Sequence, residues 1–204
     1  MADKTPDAGQ RAARYDHSFL NRDIVLYSMP AMRLLRQHLP RLDGSFLRLA
    51  NDFVWLNDDR EIEAMMRERS QLIATFEAEL DSVIPSYTET LQRHHVGSIV
   101  FERLRPAGSV SFELHAATSL EAIRLFMKLD RLFLLLEAMK QNGLIDELAY
   151  VHTCQAWKRS LGRFVKAVHA LRIRLLAESH ERNARDRAIE SIDAKEKTDE
   201  PTTT

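Results

Sequence analysis

Few side chains in this sequence are typed and spaced for chemistry. Cys154 is the single cysteine of 204 residues, which excludes an intrachain disulfide and a cysteine-based zinc site and suits a reducing compartment. A catalytic thiol would need a neighbouring base and a lowered pKa. Cys154 instead falls in an apolar repeat, where it reads as a small buried hydrophobe. His94 and His95 are adjacent, so their side chains point apart and make poor joint metal ligands. With 6 glycines in all, neither GxGxxG nor the P-loop pattern occurs, and HExxH and GxSxG are absent too. Asp130 has Phe126, Met127, Phe133 and Leu134 at helical spacing and is expected to face the interior. A buried carboxylate must be paired or protonated, and a salt bridge or a cap on another helix is the expected partner. Without a second acid or base it offers no mechanism. The residues support no catalysis and imply no metal or cofactor.

Charge is the feature that can be used. The chain carries 29 Lys and Arg against 30 Asp and Glu, a net charge of −1 that excludes a uniformly basic coat. The charges are unevenly placed: residues 148–177 hold 6 basic residues and no acid, whereas residues 57–90 hold 3 basic and 9 acidic. Within the basic stretch, Arg159, Arg163 and Lys166 fall on one line of a helix. Such a line can hold phosphates, or it can be a solvated face neutralised by the acidic helix.

The elements that must position these residues are mostly long helices, since 6 Gly and 6 Pro leave few breaks. Arg22–Tyr27 is a short β-prone run. Ser28 caps a helix that Pro40 stops, and a second helix runs from about Leu42 to Leu56. Ile62, Met65, Ile73, Phe76, Leu80 and Val83 mark a third, ended by Pro85, with Arg69 interrupting its apolar seam. Ser98–Leu104 and Val110–Ala116 flank an Arg-Pro-Ala-Gly turn and read as a β-hairpin. On its second arm Val110, Phe112 and Leu114 alternate with Ser111, Glu113 and His115. Thr118 with Glu121 forms a capping-box pattern opening a nearly all-apolar helix that ends at Gly143. Asp146 caps the last helix, in which Cys154, Trp157, Leu161, Phe164, Val168, Leu171 and Leu175 form a heptad seam. That seam can serve the chain's own core or dock a partner helix.

The expected organisation is a flexible leader over residues 1–17, one helical domain over 18–178 with a hairpin near 98–116, and a polar, largely disordered tail over 179–204. The class is mainly α (α+β), a long-helix bundle with a short β-ribbon. The polar leader shows no secretory signal, and the longest apolar run, Leu132–Leu136, is far short of the roughly 20 residues a membrane span needs. A cytoplasmic location is expected. Two β-α-α units, one from Arg22 and one from Val110, are hinted at without any residue-by-residue repeat.

The stretch VSFELHAATSLEAIRLFMKLDRLFLLLEAMKQNGLI, with Asp130 in Leu-Asp-Arg-Leu and Gly143 before Leu-Ile, resembles the AcaB-like family of regulators from conjugative plasmids and integrative conjugative elements. RDIVLYSMPAMRLLR looks like that family's opening strand and helix, and the likeness in layout covers most of residues 20–176. The resemblance implies a dimeric, DNA-binding transcriptional regulator related to ribbon-helix-helix proteins, with double-stranded DNA as partner. It assigns no base-reading residue. The residues themselves nominate Arg103, Arg105, Ser111 and His115 on the ribbon for base contacts, and Arg159, Arg163 and Lys166 on the last helix for phosphates. The alternative from another class is an assembly or adaptor protein that binds a partner helix through the heptad seam.

Overall fold

The computed structural model describes residues 20–52, 59–96 and 105–198. Its elements are β1 (Leu20–Leu26), α1 (Met29–Asp52), α2 (Asp59–Arg93), β2 (Gly108–Leu114), α3 (Ser119–Gln141) and α4 (Glu147–Thr198). The protein is mainly helical, and the described residues include a two-stranded antiparallel sheet, in the class the sequence indicates. The order is a β-α-α unit stated twice.

Among the described residues, β2 finds its partner outside the expected hairpin. β2 pairs with β1, a strand far earlier in the sequence, in a register that matches Leu20 with Leu114, Asp23 with Ser111 and Leu26 with Gly108. The middle residues of the two strands face each other, so the ribbon is centred on Asp23 and Ser111. Residues 98–104, expected as the first arm of a hairpin, lie outside the described residues. The alternation in β2 is as expected, and it decides the faces. Ile24, Leu26 and Leu114 are buried, with Val110 and Phe112 half-buried beside them. Asn21, Asp23, Val25, Ser109, Ser111 and Glu113 are exposed on the other face.

Proline stops neither early helix. Pro40 lies inside α1 and Pro85 inside α2. A proline in a helix interior costs about 3 kcal/mol. In α1 that loss is outweighed by the stripe on either side of it: Leu35, Leu39, Leu42, Phe46 and Leu49 are each at most 1% exposed. Burying each such side chain contributes roughly 1.5–3 kcal/mol. Likewise α4 runs on to Thr198, past the point near residue 178 where its apolar pattern ends.

The two units are interlocked. α1 and α2 each pack on both α3 and α4, so the first unit's helices find their neighbours in the second. Leu125, Leu129, Leu132, Phe133 and Leu136 of α3 are at most 1% exposed, which makes it the most buried helix. The heptad seam of α4 is core: Leu161 and Val168 are fully buried, and Cys154, Phe164 and Leu171 nearly so. Phe164 stacks on Phe76 of α2 at 5.2 Å between ring centroids, and Trp157 meets the same ring edge-on at 6.5 Å. From Cys154 to Leu171 the seam is therefore satisfied inside the chain.

The helix ends explain how the chain turns. Ser28 caps α1, its Oγ accepting from Ala31 N–H at 3.3 Å. Asp146 caps α4 through Ala149 N–H at 2.7 Å. α3 closes with Gly143 at φ +69°, where Leu144 N–H reaches Met139 O and Gly143 N–H reaches Lys140 O. α2 ends the same way, with His95 at φ 59° in the left-handed position and Val96 N–H bonded to Leu91 O. Thr118, by contrast, makes no side-chain cap on α3, so the expected capping box does not form. A carboxylate from another helix instead holds the residues that lead into α3.

Candidate nucleic-acid interface

That carboxylate is Asp43 of α1, buried at 6% exposure. It accepts from His115 N–H at 3.0 Å, Ala116 N–H at 3.2 Å and the Ser119 hydroxyl at 2.6 Å. His115 Nδ1 stands 2.8 Å from its other oxygen. Asp130 of α3 does the same for α1: its oxygens accept from Tyr27 N–H at 2.9 Å and Ser28 N–H at 2.7 Å. The expected buried partner of Asp130 is thus a cap on another helix. In both units the bonded amides belong to the first two residues after the strand. The reciprocal clasp fixes both ends of the ribbon against the helices and follows the same approximate two-fold axis as the strand register.

The ribbon's solvent face is polar but not basic. Asp23 and Glu113 lie on it with Asn21, Ser109 and Ser111, and the Ser111 hydroxyl donates to Asp23 across the centre. Arg105 is exposed just before β2. Arg103 lies outside the described residues. His115 departs from the expected outward row: it sits beyond the strand with its backbone and one ring nitrogen held by Asp43, its side chain 36% exposed. The buried Asp43 carboxylate draws the ring inward through a charge-assisted contact.

On α4, Arg159, Arg163 and Lys166 are all exposed on one line, and no carboxylate pairs with any of them among the described residues. Neutralisation by the acidic helix does occur, but one step further along, where Arg174 pairs with Glu68 of α2. Ser160, on the buried side, donates to Glu79 at 2.6 Å. Cys154 is buried, and desolvation pushes its thiol pKa up, with Tyr150 and Lys158 opposing. That is the reverse of an activated thiol.

Sequence reasoning missed Asp43, and it missed Asn21, Asp23 and Ser109 as ribbon-face residues. Asp43 carries no local signal, because its partners are more than seventy residues away. The ribbon residues could be found only once β1 was known to pair with β2.

An exposed antiparallel ribbon laid over two interlocked helix pairs, all from one chain, defines a helical bundle with a short two-stranded sheet. No helix of the described residues is long and apolar enough to cross a membrane. No protein-family model matches the sequence, and no curated protein sequence matches it. The fold is similar to the crystal structure of selenomethionine-containing AcaB from uropathogenic E. coli, with a TM-score of 0.75. The superposition covers 82% of this chain and 86% of that one at 13% identity, a likeness of fold.

Proposed function

We propose that this protein is a DNA-binding transcriptional regulator, acting without catalysis from the cytoplasm and controlling genes of a conjugative element. The observation that carries the reading is the β1–β2 ribbon, which buries one face and leaves the other free across its whole length. A two-stranded ribbon of this kind fits the major groove. Arg105 and Ser111, with Arg103 beside them in sequence, would contact bases, and Arg159, Arg163 and Lys166 would hold phosphates. Asp23 and Glu113 would accept hydrogen bonds from base amino groups such as cytosine N4. Because these acids weaken non-specific attraction, affinity must come from the separate cationic line on α4. One chain completes the ribbon, and a homodimer would set two ribbons along the duplex.

The test is binding to duplex DNA taken from upstream of the protein's own gene, titrated at several salt concentrations. Replacing Arg159, Arg163 and Lys166 with alanine should flatten the slope of log affinity against log salt by up to about 3 units. Ser111→Ala and Glu113→Ala should alter base preference with the slope kept. An unchanged slope in the triple variant would remove α4 from the interface. Absence of any saturable duplex binding would remove the function.

A further inference from the structure

We infer that the cleft between α1 and α4 is a binding site for a small amphipathic anion, one with a phosphate, sulfonate or carboxylate head on an apolar body. The cleft has a volume of about 580 Å³, inside the roughly 300–1,000 Å³ span of small-molecule sites. Arg41 and Arg48 line it from α1, and Lys166, His169 and Arg172 from α4. Among the described residues no carboxylate lines it. Asp43, the acid nearest in sequence to Arg41, is turned away and committed to the start of α3. Arg41, Arg48 and Lys166 are each exposed and form no ion pair among the described residues. The field of Arg41 is felt locally: after burial, its charge is the second cause holding His38 below the usual histidine range.

Like charges gathered around one concavity repel, and an anion seated between them relieves that repulsion. The rest of the lining sets the ligand's other half. Val165, Ala170 and Ile173 give an apolar wall, and Ile173 is 53% exposed, unusual for its type. Bare phosphate would leave that wall wet, so the favoured occupant joins a charged head to a hydrocarbon or aromatic body. Gly44, at the cleft, leaves room for it: a Cβ added there meets no atom within 4 Å.

The anionic head could belong to a free molecule or to a DNA backbone, and the experiment separates them. The probe is 1-anilinonaphthalene-8-sulfonate, an aromatic sulfonate, titrated fluorimetrically into the folded full chain. Saturable binding at one site per chain is expected, weakened on the order of tenfold or more by Arg41→Ala with Arg48→Ala. Gly44→Leu should block it as well. Leucine there grows into open space and is a better helix former than glycine, so the fold survives even if the double variant does not. Octyl phosphate should displace the probe at far lower concentration than inorganic phosphate. Undiminished binding in folded Gly44→Leu would overturn the site. Displacement by duplex DNA but not by octyl phosphate would overturn the small-molecule assignment while favouring the DNA reading. Loss of DNA binding alone, with probe binding intact, would sink that reading and leave this one standing.

Discussion

Asp43 and Asp130 cap the starts of each other's helices: Asp130 on α3 receives the amides of Tyr27 and Ser28 before α1, and Asp43 on α1 receives those of His115 and Ala116 before α3. The two carboxylates satisfy amides left open where each strand turns into its helix, and each does so from the opposite β-α-α unit. The halves of the protein are joined by this exchange as well as by their apolar core.

Removing either acid strands buried donors that water cannot easily reach. Asp130→Ala should destabilise the protein by about 2–4 kcal/mol, read as a lower urea midpoint. Asp130→Asn, which keeps one acceptor oxygen, should lose less. Asp43→Ala should cost a comparable amount and also remove the carboxylate beside the His115 ring, visible as a shifted imidazole NMR signal. A midpoint unchanged in Asp130→Ala would show the clasp to be incidental.

His38 gives the protein a pH dependence with a definite sign. Burial first, and the Arg41 charge second, hold its pKa below 6.5 in the folded state. Between the folded and unfolded values the unfolded chain binds the extra proton, so stability falls as pH drops below about 6.5. The loss levels off once the folded histidine protonates as well. His38→Gln should lose less stability than the parent between pH 7.5 and 5.5, and an identical decline in the two proteins would refute the assignment.

Cys154 should be chemically quiet. The residue is 6% exposed and its thiol pKa is raised chiefly by desolvation. Reaction with an aromatic disulfide reagent at pH 8 should run more than about tenfold slower in buffer than in urea. Rapid labelling of the native protein would place the thiol at the surface instead.

The seam of α4 makes a mass prediction. Leu161 is fully buried within the single chain, so Leu161→Ala should cost about 2–5 kcal/mol by leaving a cavity. Its mass in solution should match that of the parent. A fully stable variant with reduced mass would return the seam to the role of a partner-binding strip.

What the amino-acid order settled by itself is what depends on near neighbours. The faces of β2, the caps at Ser28 and Asp146, the Gly143 terminus and the burial of Asp130 all follow from period two, period three-to-four, or a residue type at a turn. The prolines mark where that logic stops: Pro40 breaks a local rule, and only the burial of Leu39, Leu42 and Phe46 against distant helices outweighs it. Three further matters were decided by tertiary structure alone: the union of β1 with β2, the exchange between Asp43 and Asp130, and the meeting of Arg41 with Lys166 across a cleft. Each joins residues from different helix-strand units, and a carboxylate or cation carries no local mark of the partner that folding brings to it. The hydrophobic pattern specifies which faces must be covered; the choice of cover belongs to the packed whole.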